Sequence, residues 1–298
     1  MLPLSGMLKQ FKGSLLIVFS ALCFGSYGVF AKYLAGYDLF YQTYVRCFIV
    51  TTILLIVGLS TKKLKKIKRQ DYKYWATILG FTIFTITPIT IAFRNLPLGT
   101  VSFLFYSAFT VFTYIFGVVF FHEKITRVKI LSATLAFAGL LIIFTVNFYG
   151  LLLFPMLMAI ANGLASSGEA VFSKNVSDKY SALQVTMLVF LAIGITHFGL
   201  SLLLGENQDL ALLTNSGGVI FTFSTVAILG VVALYAGYRE LDPSIGALVG
   251  LTEIIFSVLF GILFFQELLG TNTIIGGLLI VTAAALPNIL ALRKKQVV

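Results

Sequence analysis

The segment Phe116-Gly117-Val118-Val119-Phe120-Phe121-His122-Glu123 returns 144 residues later as Phe260-Gly261-Ile262-Leu263-Phe264-Phe265-Gln266-Glu267. The two segments are identical at five of their eight positions. A second match, at an offset of 142 residues, pairs Gly28-Val29-Phe30-Ala31-Lys32 with Ala170-Val171-Phe172-Ser173-Lys174. Two matches at nearly the same offset indicate that one structural unit occurs twice in the chain.

The composition excludes a protein that is dissolved in water. The 298 residues are 59% hydrophobic and only 11% charged, whereas soluble domains are about 45–50% apolar and about 25% charged. Such a chain lacks the polar side chains needed to cover a globule. A cytosolic enzyme, a disordered protein and a small secreted disulfide-bonded module are therefore excluded.

The apolar residues are grouped into ten runs. Each run is close to the roughly 20 residues that a helix needs to cross a hydrocarbon core about 30 Å thick. The runs cover residues 14–34, 40–59, 75–93, 98–121, 128–146, 150–172, 182–204, 218–237, 243–265 and 271–292. We therefore predict an all-α polytopic membrane protein with ten transmembrane helices.

The basic residues are distributed unevenly between the two sides of this arrangement. With the N-terminus inside, 18 of the 21 lysines and arginines lie on the cytoplasmic side, and only Lys32, Arg46 and Arg94 do not. By the positive-inside rule, this distribution predicts that both termini are cytoplasmic. We interpret the basic run at 62–69 as a topology anchor beside anionic lipid, and not as a patch that binds nucleic acid.

Ten helices and two copies predict five helices per copy, in residues 1–147 and 148–298. Because five is odd, the second copy enters the membrane from the opposite side, which makes the duplication an inverted repeat. Two inverted copies can exchange conformations, so that a site between them opens first to one side and then to the other. This architecture favours a secondary transporter over a membrane scaffold.

Several of these residues resemble the motifs of a known family. The matching positions are Phe24-Gly25-Ser26, Phe30-Ala31-Lys32, Arg46, Glu123, Glu267 and Leu251-Thr252-Glu253-Ile254. Over nearly its whole length the chain is similar to the EamA family of the drug/metabolite transporter superfamily. The resemblance implies ten helices in two inverted five-helix repeats and a small-metabolite transporter. The prolines usual in helices four and nine of the family are replaced by Thr110 and Ile254.

Candidate functional residues are the ionisable and polar groups inside the apolar runs. A charged residue at the centre of a transmembrane helix costs about 2.5–3.5 kcal/mol on insertion scales, so it tends to face a cavity or a partner. Glu253 shares one helical face with Gly246, Gly250 and Ser257. That face suits either close helix packing or the wall of a wet cavity, and the glutamate favours the cavity. We expect Glu253 to couple transport to protons or to bind a substrate amine.

The sixth run carries a similar polar face, with Asn162 and Glu169 among its members. Glu169 lies nearer the cytoplasmic end, where it either pairs with Lys174 or has a functional role. Arg46, in the second run, either binds a substrate carboxylate, for which the planar guanidinium is well shaped, or forms an ion pair. Lys32 is expected to extend to the membrane surface.

Four tyrosines are further candidates for the substrate site, and Pro88 predicts a kink in the third run. The tyrosines are Tyr27, Tyr44, Tyr106 and Tyr235. No phosphate-binding loop, zinc-ligand spacing or catalytic constellation is present, and His122 and His197 lie far apart. We therefore expect no enzymatic activity, no cofactor and no metal.

The residues together predict a transporter in the cytoplasmic (inner) membrane that exports a small organic solute by alternating access. Amino acids or related zwitterions are the preferred class, because the expected cavity offers one cation, one or two carboxylates and many aromatic rings. A cationic drug-like or quaternary amine solute is the alternative within transport. A membrane-embedded enzyme or a lipid-handling protein is the alternative from another class. Expected partners are the solute, membrane lipid and protons, with a monomeric or homodimeric assembly and no nucleic acid.

Overall fold

A computed structural model of the chain describes residues 4–122, 126–147, 152–208, 211–240, 246 and 249–296, and across these ranges it is helical without β-strands. The first predicted repeat contains α1 (Leu4–Gly25), α2 (Tyr27–Tyr33), α3 (Leu39–Ser60), α4 (Tyr72–Thr82), α5 (Ile86–Asn95), α6 (Leu98–Phe121) and α7 (Arg127–Asn147). The second contains α8 (Leu153–Ser177), α9 (Ala182–Leu203), α10 (Ala211–Glu240), α11 (Thr252–Phe265) and α12 (Thr271–Gln296). The all-α prediction is confirmed. Glu123 lies outside the described residues.

Six segments within the described residues are long and apolar enough to cross a membrane. They are Phe11–Tyr33, Leu39–Ser60, Arg69–Asn95, Leu98–Phe121, Ala182–Leu203 and Leu213–Tyr238. Two shorter apolar helices, Thr252–Phe265 and Thr271–Pro287, accompany them. The protein is therefore a multi-pass membrane protein, but the predicted count of ten spans is not confirmed.

The helix contacts follow the internal repeat. Two pairs of equivalent helices contact each other directly, α3 with α9 and α7 with α12. The contact of α1 with α10 has its counterpart in the contact of α8 with α4 and α5. The contact of α6 with α8 likewise has its counterpart in that of α11 with α1 and α2. The two repeats thus pack around each other in an arrangement with approximate two-fold symmetry.

Three of the predicted spans contain an interruption in the helix. The first is interrupted at Ser26, between α1 and α2, and the third at residues 83–85, between α4 and α5. In the ninth, a turn at Leu251 precedes α11. The break in the third span lies before the kink that was expected at Pro88. Pro88 occupies the first turn of α5, where its missing N–H removes no helical hydrogen bond.

Gly25 allows two of these interruptions to meet. A Cβ atom added at Gly25 would lie 2.8 Å from Cβ of Phe256 and 3.0 Å from the carbonyl oxygen of Glu253. Because real Cβ contacts are not that short, only glycine permits the backbones of α1 and α11 to approach so closely. The end of α1 is therefore held directly against the first turn of α11.

Candidate functional site

Glu253 is joined to α6 by a hydrogen bond across the helix interface. Tyr106 Oη donates to Glu253 Oε2 at 2.8 Å. One turn further along α11, Ser257 is fully buried, accepts a hydrogen bond from Ser102 Oγ at 2.8 Å and donates to the Leu98 carbonyl at 3.1 Å. Buried hydroxyls in an apolar bundle need such partners. The bonds fix the polar face of α11 against α6.

The two glycines of the predicted face differ, because a Cβ at Gly246 would lie too close to the Tyr238 ring of α10. A Cβ at Gly250 would meet no atom of the described residues within 4 Å, so Gly250 makes no close contact with a described helix. The close contact of α11 is made instead by Gly25, on the facing helix.

Arg46 lies inside the bundle without a carboxylate partner among the described residues. Its side chain is only 5% exposed. The guanidinium carbon lies 3.9 Å from the centre of the Phe223 ring, on α10. This is cation–π geometry, which is worth about 2 kcal/mol or more at a desolvated site. The alternative that Arg46 forms an ion pair therefore finds no support in the described part of the chain.

Tyr27 packs beside the Phe223 ring that Arg46 also contacts. Its ring packs edge-on against Phe223, with 5.0 Å between centroids, and it follows the interruption at Ser26 directly. Its hydroxyl is within electrostatic range of both Arg46 and Glu253. We call Tyr27, Arg46, Tyr106, Phe223 and Glu253 the central site. Four of its members were predicted from the sequence, and Phe223 was not.

Asn162, Glu169 and Tyr235 form a separate group around α8. Asn162 is buried, and its Nδ2 donates to the carbonyl of Thr85, the last residue of the interruption between α4 and α5. The Glu169 carboxyl is close to the Thr82 hydroxyl and within electrostatic range of Tyr235. The structure thus gives Asn162 a role in bracing the broken helix, while Glu169 adds a second carboxyl group within the bundle.

Tyr44 does not belong to either group. Its hydroxyl bonds Gln208 Oε1 at 2.5 Å, in the loop that follows α9. Its ring packs edge-on against Phe198 and Tyr41. These contacts place Tyr44 at the end of the bundle, beside that loop.

Lys32 does not extend freely to the membrane surface as the sequence suggested. Its ammonium pairs with Glu267 Oε1 at 2.5 Å and lies 4.9 Å from the Phe265 ring centre. The side chains of Lys32 and Glu267 are 20% and 9% exposed. The two charges are thus largely shielded from solvent and compensate each other. The expectation for Lys32 was therefore wrong.

His197 is buried in α9, and both of its ring nitrogens have partners. Nε2 lies 2.6 Å from Thr87 Oγ1, and Nδ1 lies 2.9 Å from the Ile193 carbonyl. Within the part of the chain that the structure describes, no three His, Cys, Asp or Glu side chains are grouped to hold a metal ion. His197 therefore packs between α9 and α5 as a hydrogen-bonded core residue.

The fold and the central site define a class of protein. Repeated helical units with interrupted helices and ionisable groups in the interior are the construction of secondary transporters. The model of the EamA-like transporter family matches this chain twice, at residues 11–145 and at residues 153–289. The chain belongs to the EamA-like transporter family.

Known proteins of similar sequence and structure agree with this membership. A Helicobacter pylori (strain J99) protein named as an uncharacterized transporter is 24% identical over 300 residues, which cover 95% of this chain and 96% of that protein. A solved crystal structure covers 94% of this chain, and 97% of its own, with a TM-score of 0.68 and 16% identity. That likeness concerns the fold alone. The family and the relative indicate a transporter rather than an enzyme.

Proposed function

We propose that the protein transports a small organic zwitterion, an amino acid or a close relative, by alternating access around the central site. The observation that carries the proposal is the buried guanidinium of Arg46, which has no carboxylate partner among the described residues. An unpaired cation is expensive inside a membrane protein. A substrate carboxylate would supply the missing partner and could be held by two parallel N–H···O bonds.

The second charge of a zwitterion matches Glu253. The Glu253 carboxylate accepts only the Tyr106 hydroxyl among described side chains, so it retains lone pairs for a substrate ammonium. Tyr27 lies within electrostatic range of both charges, and its ring, with that of Phe223, offers an apolar surface for the substrate side chain. The site therefore contains a group for each end of an amino acid.

Differences between equivalent helices support alternating access. The first span is interrupted at Ser26, whereas its counterpart α8 is continuous. The third span is interrupted at residues 83–85, whereas its counterpart α10 is continuous. Two copies of one unit thus hold different shapes at the same time. Exchange of these shapes between the repeats, residues 1–147 and 148–298, would open the site to the opposite side.

The direction, energy source and location are part of the same proposal. We propose that the protein lies in the cytoplasmic membrane with both termini inside, because the basic residues predict that orientation. The proposed direction of transport is export. Glu253 would exchange a proton against the substrate ammonium, since a carboxyl group in an apolar interior is costly to leave charged and unpaired.

Thermal-shift measurements on purified protein test the substrate class. The panel contains amino acids and, for each, the amine without the carboxylate and the acid without the amino group. We expect a rise in Tm only with compounds that carry both charges, because a single charge leaves Arg46 or Glu253 without its partner. Equal stabilisation by the amines, including quaternary amines, would overturn the zwitterion proposal in favour of cationic solutes.

A further inference from the structure

The loop between α3 and α4 is held against the start of α9 by hydrogen bonds between the backbone of the loop and side chains of residues 180–184. Gln184 Oε1 accepts the Lys65 N–H at 2.9 Å, and Gln184 Nε2 donates to the Lys65 carbonyl at 2.6 Å. Ser181 Oγ donates to the Lys63 carbonyl at 3.0 Å, and the Lys68 N–H donates to Tyr180 Oη at 3.1 Å. A segment with this many basic side chains is thus fixed in one shape.

The carboxylate of Asp71 is occupied within this structure. Asp71 is 1% exposed, and it accepts hydrogen bonds from Lys179 Nζ at 2.6 Å and from Tyr180 Oη at 2.9 Å. The hydrogen bond to Asp71 raises the pKa of Lys179, so this lysine remains protonated at neutral pH. Asp71 therefore neutralises Lys179, and no ion pair joins it to Lys65, Lys66 or Lys68.

A cavity of about 350 Å³ lies between this loop and the loop that joins α8 to α9. It is lined by four lysines and two aspartates, with two neutral residues: Lys65, Lys66, Lys68, Lys179, Asp71, Asp178, Gln70 and Tyr180. Lys66 and Lys68 are exposed and form no ion pair with a described carboxylate. The cavity thus combines an excess of positive charge with a backbone that is ordered in advance, so little conformational entropy is lost when an anion binds.

We propose that this basic pocket binds a phosphate group. Lysine ammonium groups are suitable donors to phosphate oxygens, as point charges that tolerate several geometries. The first repeat contributes Lys66 and Lys68, and the second contributes residues 178–180. A bound phosphate therefore bridges the two repeats and stabilises their contact at this end of the bundle. The phosphate can belong to the headgroup of an anionic lipid or to a free anion.

The test compares two double variants of the same loop in the purified full-length protein. Lys66→Gln/Lys68→Gln removes two charges from the pocket, and Lys62→Gln/Lys63→Gln removes two charges beside it. Each variant is melted with inorganic phosphate, with short-chain phosphatidylglycerol and with short-chain phosphatidylcholine at constant ionic strength. Ligand at about ten times its Kd should raise Tm of the wild type and of the Lys62/Lys63 variant by about 3 °C. The Lys66/Lys68 variant should show no rise.

The ligands separate the two sources of phosphate. A rise with phosphatidylglycerol but not with inorganic phosphate assigns the pocket to a lipid headgroup, and a rise with both at equal ionic strength assigns it to a free anion. The proposal is overturned if neither ligand raises Tm, or if both double variants lose the response equally. Equal loss would mean that diffuse charge, not the pocket, attracts the anion.

Discussion

The Lys32 ammonium and the Glu267 carboxylate form an ion pair at 2.5 Å across 235 residues of sequence. The other oxygen of Glu267 accepts the N–H of Leu98, the first residue of α6, at 2.7 Å. A carboxylate at a helix N-terminus is stabilised by the unpaired N–H groups there. One side chain therefore links the end of α2, the start of α6 and the segment after α11.

Exchange of the two charges tests this double role. The variant with Lys32→Glu and Glu267→Lys should fail to restore stability, because a lysine at 267 cannot accept the Leu98 N–H. Glu267→Gln keeps that acceptor but leaves Lys32 unpaired, and should destabilise the protein by about 1–3 kcal/mol. The measurement is Tm in detergent for Lys32→Glu, for Glu267→Lys, for the variant that carries both, and for Glu267→Gln. Full recovery in the double variant would show that a simple ion pair is sufficient.

The orientation in the membrane is tested by reporter fusions. Because 18 of the 21 basic residues lie on one predicted side, a reporter that is active only outside the cytoplasm should be silent after residues 66 and 298. The same reporter should be active near residue 210. Activity at residue 298 would contradict the even number of spans and the inverted repeat that depends on it.

The sequence predicted the helical class and most of the central site because both depend on strong local signals. Arg46 and Glu253 stand out as charges within apolar runs. Phe223 could not be singled out, since nothing in its local sequence distinguishes it from the other 28 phenylalanines. Its role depends on which helix lies opposite Arg46, and that is a tertiary property.

The interruptions were harder to predict. Residues 83–85 (Ile83-Phe84-Thr85) contain neither glycine nor proline, but Pro88 follows four residues after Phe84, and in a continuous helix its ring would clash with the Phe84 carbonyl. Asn162 of α8 donates a hydrogen bond to the Thr85 carbonyl, and this contact could not be predicted because the two residues are 77 positions apart. In the same way, Lys32 was assigned to the membrane surface because its partner, Glu267, is remote in sequence.

Arg46→Lys distinguishes a substrate anchor from a structural cation. A lysine keeps the charge but not the planar pair of N–H donors, so binding of a carboxylate should weaken about tenfold or more. Tm without substrate should fall only by the part of the Phe223 contact that is lost, because a lysine keeps a positive charge near the ring and no described carboxylate depends on Arg46. The checks are substrate uptake by proteoliposomes and the Tm shift with amino acids. Wild-type uptake by Arg46→Lys would remove the anchor role.

The exchange of shapes between repeats predicts where helices open in the other state. At the offset of 142 residues, Ser26 corresponds to Gly168 of α8. Arg94, just after the third span, corresponds to Arg239 at an offset of 145 residues, and at that offset Thr85 corresponds to Gly230 of α10. Hydrogen exchange should therefore increase around residues 168 and 230, and decrease around 26 and 83–85, when substrate shifts the population. The continuous α9 should not change. Uniform protection of α8 and α10 in every condition would contradict the exchange.

Glu253→Gln tests the coupling mechanism. Glutamine has nearly the same shape and can still accept the Tyr106 hydroxyl, so the fold should be retained. It cannot take up and release a proton, so accumulation driven by a proton gradient should be abolished. Substrate exchange without a gradient should persist, but at higher substrate concentration, because the amide pairs less strongly with the substrate ammonium. Tyr106→Phe is the matched control, because it removes the hydrogen bond and leaves the carboxyl group in place. This control should slow transport but keep its dependence on the gradient. Gradient-driven accumulation at the wild-type rate in Glu253→Gln proteoliposomes would show that Glu253 only braces α11 against α6.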